Sequence, residues 1–169
     1  NPKPLLGFSD ITALLNGLHA KTGLVTFHGP NCSSNLTDYT LAALKRVLFS
    51  PEPAGVVGDA PPAPSREGFV DREDRLRRIV PGTGRGRLVG GNISVFSTLV
   101  GTPWEPPLEG SILFLEEVGE VPYRIDRWLT HFLLTGKLTR CAGIVFGKFK
   151  DCGPGDRGDY QGTWTWQEV

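Results

Sequence analysis

The sequence predicts an α/β fold with a largely parallel sheet, and three observations carry the prediction. Short apolar runs alternate with segments whose apolar residues recur at helical spacing. The run Ser111-Ile112-Leu113-Phe114-Leu115 is continuous and suits a strand buried on both faces, as parallel sheets require. Glycine, proline or a capping residue stands at nearly every junction.

Taken in order, residues 5–8 read as a short buried strand. Residues 10–21 follow as a helix, with Asp10 and Thr12 as opening residues, Ile11, Leu14, Leu15 and Leu18 at helical spacing, and Gly23 after its end. Residues 24–27 form another strand, stopped by His28-Gly29-Pro30. Residues 36–49 contain a helix with Leu41, Leu44, Val47 and Leu48 on one face. Residues 50–84 are rich in proline, glycine and charge and read as a linker. Their stretch from Arg66 to Arg78 mixes both charge signs, which suits a solvated face. Arg87-Leu88-Val89 then leads into Gly90-Gly91-Asn92, where the glycines permit a tight turn and Asn92 can cap a helix through Ile93, Phe96, Leu99 and Val100. The apolar run ending at Leu115 meets Glu116-Glu117. Residues 124–134 form a helix with Ile125, Trp128, Leu129, Phe132 and Leu133 inward, and residues 142–146 a last strand. The organisation read from this is 1–49, a nucleophile-bearing domain; 50–84, a linker; 85–169, a C-terminal domain.

Two positions suggest chemistry. Gly7-Phe8-Ser9-Asp10 places a serine between a strand and a helix, the layout of a nucleophile elbow. Such a turn pushes the hydroxyl outward and offers helix-start N–H groups to an oxyanion. The competing reading is that Ser9 merely caps the helix. Glu116 follows a buried strand, and groups at the carboxyl ends of strands are where open α/β sheets gather their ligands. Its competing reading is a turn cap, or a partner for Arg124 or Arg127.

The remaining composition excludes more than it assigns. Lys and Arg number 18 and Asp and Glu 18, so the formal charge is zero, and no bulk field draws nucleic acid or a membrane surface. No apolar run approaches a membrane span. Cys32, Cys141 and Cys152 lack metal-ligand spacing and fit a reducing compartment. Asn35-Leu36-Thr37, Asn92-Ile93-Ser94 and Arg157-Gly158-Asp159 read as chance motifs. The chain contains no Met and opens almost on the elbow, which reads as a piece of a longer protein.

Several motifs in sequence then resemble one family. They are Gly7-Phe8-Ser9-Asp10-Ile11-Thr12, His28-Gly29-Pro30, Gly90-Gly91-Asn92-Ile93, Gly101-Thr102-Pro103-Trp104, Leu113-Phe114-Leu115-Glu116-Glu117 and Tyr123-Arg124-Ile125-Asp126-Arg127. The chain resembles the LD-carboxypeptidases, serine peptidases that trim murein peptides and whose relatives include the microcin C immunity proteins. The resemblance implies a two-domain α/β protein, a Rossmann-like N-terminal part with the elbow plus a C-terminal α/β domain, both incomplete here. It implies Ser9 as nucleophile, Glu116 as triad acid with Glu117 as the adjacent candidate, and the Asp10 backbone N–H as an oxyanion donor. Asn92 and His28 would lie on the substrate side. The family releases the terminal D-alanine of murein tetrapeptides in the cytoplasm, during peptidoglycan recycling, with no metal or organic cofactor; the partner is the murein peptide, and a homodimer is compatible with it.

The family's triad histidine falls after the glutamate, and this sequence lacks it. His19 lies roughly 15 Å along the helix from Ser9 at 1.5 Å per residue, and His131 sits within an amphipathic helix. The chain by itself is therefore expected to be inactive. Alternatives are a microcin-immunity-type peptidase or amidase with the same triad, and a non-catalytic peptide-binding remnant. A generic α/β-hydrolase elbow is disfavoured because Ile11 stands where a small residue is usual.

Overall fold

The structure, a computed structural model, describes residues 3–56, 77–153 and 167. The charged stretch before Arg77 and the Arg157-Gly158-Asp159 tripeptide lie outside the described residues. Two compact units are present, Asn1–Asn31 with Thr83–Val169, and Cys32–Gly82.

Among the described residues of the smaller unit the helix is α2 (Asp38–Leu48). Thr37 caps it, its hydroxyl accepting from the Thr40 N–H at 3.2 Å. Leu41, Leu44 and Leu48 are half-buried, whereas Val47 is exposed.

The larger unit is built as βα repeats. β1 (Leu6–Gly7) passes through Ser9 into α1 (Ile11–Thr22), and β2 (Phe27–His28) lies parallel to β1, with Gly7 opposite His28. β3 (Leu88–Asn92) runs directly into α3 (Ile93–Ser97). β4 (Ile112–Val118), α4 (Pro122–Leu134), a 3-10 turn (Leu138–Arg140) and β5 (Gly143–Lys150) complete the order. β3, β4 and β5 form a parallel sheet in that order. The parallel α/β class expected from sequence is what forms.

The core sits between this sheet and helices α3 and α4. Val89, Leu113, Leu115 and Phe149 meet Ile93, Phe96, Ile125 and Phe132 there. Phe96 and Phe132 pack edge to face at 6.0 Å between centroids, an arrangement that adds to simple burial. β4 alternates strictly, with Leu113, Leu115 and Glu117 on the buried face and Ile112, Phe114 and Glu116 half-buried on the other. It continues three residues beyond Leu115, so both glutamates lie within the strand and not after it. Leu133, expected inward on α4, is 54% exposed, because the buried stripe of that helix closes on Ile125 and Phe132.

α1 departs further from the expected pattern. Ile11 and Leu14 are exposed, and the buried residues are Thr12, Leu15, Asn16 and Gly17. The reason is a polar docking of helix on strand. The Asn16 amide donates to Gly90 O at 2.8 Å and accepts from Gly90 N–H at 3.2 Å. Thr12 Oγ1 accepts from the Asn92 N–H at 3.1 Å. These side chains satisfy the edge of β3 that faces away from β4, where an unpaired backbone would otherwise be buried.

Gly90 makes this close approach to β4 feasible. Its φ is +127°, and a Cβ there would stand 1.9 Å from the Phe114 carbonyl oxygen. Gly90→Ala is expected to destabilise the larger unit by about 3 kcal/mol or more, since backbone must move. Gly23→Ala also places a side chain at positive φ, 71°, but in open space, and should cost only about 1 kcal/mol. Urea unfolding of the two variants checks the contrast; equal midpoints would refute it.

Candidate active site

The carboxyl ends of two parallel strand pairs, β1–β2 and β3–β4, carry the candidate residues. Ser9 follows β1, His28 ends β2, Asn92 ends β3, and Glu116 and Glu117 lie in the last turn of the β4 pleat. Topology brings them together: β1 pairs with β2 at Gly7 and His28, α1 bonds to Gly90 and Asn92, and Asn92 is in register with Glu116.

Ser9 is exposed and adopts φ +63°. A non-glycine residue in the left-handed region is uncommon and costs of order 1–3 kcal/mol. The conformation reverses the chain between β1 and α1 and leaves Ser9 exposed at the turn. The helix begins at Asp10 without a side-chain cap, and it is the Ser9 carbonyl that accepts from Thr12 N–H, at 2.8 Å. The capping alternative for the Ser9 hydroxyl is thus not realised. The N–H groups of Asp10 and Ile11 precede the first helical hydrogen bond, so neither is consumed by the helix.

A sharp elbow forces the residues two before and two after the serine together. A Cβ on Gly7 would approach Ile11 Cγ2 to 2.8 Å. The small residue that an elbow needs is therefore supplied by Gly7 before the serine, and the large Ile11 after it is tolerated.

The two glutamates, adjacent in sequence, have opposite environments because strand side chains alternate. Glu117 is 4% exposed and accepts three hydrogen bonds, from Asn92 Nδ2 at 2.7 Å, Val118 N at 2.8 Å and Ser94 N at 3.2 Å. A buried carboxylate needs such donors. Glu116 faces the other way, with its Oε1 3.6 Å from His28 Nε2. Burial raises the Glu116 carboxyl above its ordinary value, the neighbouring Glu117 charge adds to this, and the Asn92 amide partly offsets both. β5 bulges opposite it: Leu115 pairs with Phe146 but Glu117 with Phe149, and Gly147 within the bulge packs against Phe114 and the Glu116 Cβ. Bulges of this kind re-aim a neighbouring side chain.

His28 is half-buried, its ring edge-on to Phe114 at 5.8 Å. Burial lowers its imidazole below the ordinary value, which keeps it neutral near pH 7. Its Nδ1 is buried without a hydrogen-bond partner among the described residues.

Asn92 caps α3, as its position suggested: Oδ1 accepts from Val95 N–H at 3.2 Å and from Ser94 Oγ at 2.7 Å. Its Nδ2 donates to Glu117, and the same amide favours the ionised form of Glu116, so it is shared between the two glutamates. His19 and His131 are not brought to this cluster; His19 bonds Leu24 O at 3.0 Å at the far end of α1, and His131 is exposed on α4. Nor do the arginines approach Glu116: Arg124 pairs with Glu120 at 3.1 Å and Arg127 lies over the Tyr123 ring.

Sequence reasoning passed over Thr12, Asn16 and the burial of Glu117. A signal for the first two was present, since polar residues four apart share one helix face. The cluster offers an exposed hydroxyl, free helix-start N–H groups and a carboxylate, the components of acyl transfer other than a base. Among the described residues no group of three or more His, Cys, Asp or Glu side chains is placed to hold a metal, and no helix is long and apolar enough to cross a membrane.

Comparison with known proteins adds to this geometry. Residues 85–169 match the family model for the LD-carboxypeptidase C-terminal domain, and residues 1–29 that for the LD-carboxypeptidase N-terminal domain. A probable murein peptide carboxypeptidase of Bacillus subtilis (strain 168) is 37% identical over 159 residues, covering 91% of this chain and 46% of the relative. The microcin C7 self-immunity protein MccF of Escherichia coli is 30% identical over 181 residues, covering 95% and 53% respectively. The crystal structure of muramoyltetrapeptide carboxypeptidase from Oxalobacter formigenes superposes with a TM-score of 0.71 at 28% identity, over 96% of this chain and 51% of that one. The chain spans about half the length of the curated relatives it matches.

Proposed function

This chain belongs to the LD-carboxypeptidase family, and from that premise we propose that it contributes the nucleophile and the acid of a serine carboxypeptidase acting on murein peptides. The observation that carries the proposal is Ser9 at φ +63° between β1 and α1, at the same strand ends as Glu116. Backbone strain at an exposed serine persists only where the surrounding structure enforces it, and it clusters at functional sites.

In this reading the Ser9 hydroxyl attacks the carbonyl of an L-to-D peptide bond. A histidine outside this chain takes its proton as general base and later delivers it to the leaving D-alanine amine. Glu116 orients that imidazole and stabilises its cation. The Asp10 N–H, at the start of α1, donates to the oxyanion, and removal of one such donor typically costs on the order of 100-fold or more in turnover. His28 and Asn92 border the substrate side. The chemistry needs no metal or organic cofactor. Its place is the cytoplasmic recycling of peptidoglycan, with a murein tetrapeptide as substrate. The domain organisation that accompanies this reading is 1–49 for the nucleophile part, 50–84 for the linker and 85–169 for the acid-bearing part.

The test is stereochemical. The whole protein should release D-alanine from a murein tetrapeptide and leave the matched all-L peptide intact. Equal cleavage of both would overturn the proposal. The 30% identity to a microcin immunity protein favours one second reading, an immunity-type hydrolase with the same triad and a different acyl group. Cleavage of an acylated nucleotide mimic with no D-alanine release would favour that reading.

A further inference from the structure

We infer that His28 is a positioning residue for Glu116, holding one carboxylate oxygen and leaving the other to the imidazole that the proposed mechanism requires; the inference rests on that mechanism.

The ring is held from several sides. Its Nε2 stands 3.6 Å from Glu116 Oε1, and its edge meets Phe114, which shares a face of β4 with Glu116. Gly91 lies against the opposite nitrogen: a Cβ on that residue would stand 3.0 Å from His28 Nδ1, so the absence of a side chain there makes room for the imidazole. The backbone is fixed by pairing of His28 with Gly7, two residues before Ser9, and by the Gly29 N–H donating to Gly7 O at 3.0 Å. One residue is thereby tied to the strand that leads into Ser9 and to the side chain of Glu116.

The two ring nitrogens differ in a way that decides the tautomer. Nδ1 is buried and has no hydrogen-bond partner among the described residues. A proton there would be an orphaned donor, whereas a proton on Nε2 points at a carboxylate oxygen. The neutral Nε2–H form is therefore favoured. The separation exceeds hydrogen-bond length, and contacts of this kind tighten when a site is filled. A carboxylate has two oxygens and about four lone-pair sites. Engaging Oε1 from the β2 side restricts rotation of the group and presents Oε2 to the other side.

The experiment is nitrogen NMR of the whole protein carrying labelled histidine. The expected result is His28 in the Nε2–H tautomer. Glu116→Leu removes the acceptor and should shift His28 measurably away from Nε2–H, leaving only the bias that the buried Nδ1 supplies. Glu116→Gln keeps one acceptor oxygen and should retain most of the bias. A ring that merely fills space would not respond to either change. An Nδ1–H ring in the unsubstituted chain, or one indifferent to Glu116→Leu, would overturn the inference. In the whole protein, His28→Phe keeps the edge contact with Phe114 and should lower kcat about tenfold with KM unchanged, and His28→Gln should recover part of the loss; an unchanged kcat in His28→Phe also overturns it. Should the whole protein cleave no murein peptide at all, the proposed function fails, while the tautomer measurement still decides whether His28 holds Glu116.

Discussion

Ser9→Ala in the whole protein is expected to lower D-alanine release by roughly 10³-fold or more, because in the proposed mechanism the acyl intermediate forms on the Ser9 hydroxyl. The fold should survive. Ser9 is exposed, its side chain caps nothing, and the turn is held by backbone bonds and by the contact of Gly7 with Ile11. The left-handed backbone at Ser9 sharpens the test. Glycine adopts positive φ without the Cβ penalty, so Ser9→Gly should unfold no earlier than the natural chain while losing activity equally. A stability–activity trade-off of this kind marks a strained functional residue. Near-normal turnover in either variant would remove Ser9 from the mechanism, and a large drop in unfolding temperature in both would make it a structural serine.

Glu116→Gln and Glu117→Gln should fail in different ways. Glu116→Gln is expected to cut turnover by roughly 10³-fold or more, in the range seen when a triad acid loses its charge but keeps its shape. Its effect on stability should be neutral or favourable. Burial raises the Glu116 carboxyl, so ionising it costs more in the folded state than in the unfolded chain. The stability this carboxyl contributes is present at low pH and is lost as pH rises from the ordinary carboxylate range through the raised folded-state value. A neutral amide removes that loss. Glu117→Gln instead places an NH2 group where three N–H donors converge. At least one buried donor is left unpaired, at about 1–3 kcal/mol. The expected result is a lower unfolding temperature with a smaller loss of turnover measured well below it. Equal or reversed losses of turnover would mean that the acid is Glu117.

This pair shows where the sequence suffices. Two adjacent glutamates at the end of an apolar run must point to opposite faces if they belong to a strand, and that much follows from period-two geometry alone. Which face is buried does not follow, because it depends on what packs against β4. α3 and α4 cover the face of Leu113, Leu115 and Glu117, and the donors that make a buried Glu117 tolerable come from Asn92 and the start of α3. The apolar run also stops at Leu115, while pairing with β5 carries the strand through Val118; hydrogen bonding to a neighbour set that limit, not local composition.

α1 shows the converse. Its existence and its limits are written in helix-opening residues and in Gly23, whose left-handed conformation closes it. Its buried face is not, because the spacing of Ile11, Leu14, Leu15 and Leu18 suggests an apolar stripe, and the helix instead buries Thr12 and Asn16 against the backbone of β3. The contact spans some seventy residues of sequence, and no local pattern encodes a partner so distant. By itself, then, the sequence determined the parallel α/β class, the strand–serine–helix turn and the cap at Asn92, all of which depend on residues a few positions apart. Tertiary structure alone decided that His28 meets Glu116 and that the buried glutamate is Glu117, since those relations arise only when separate strands are brought side by side.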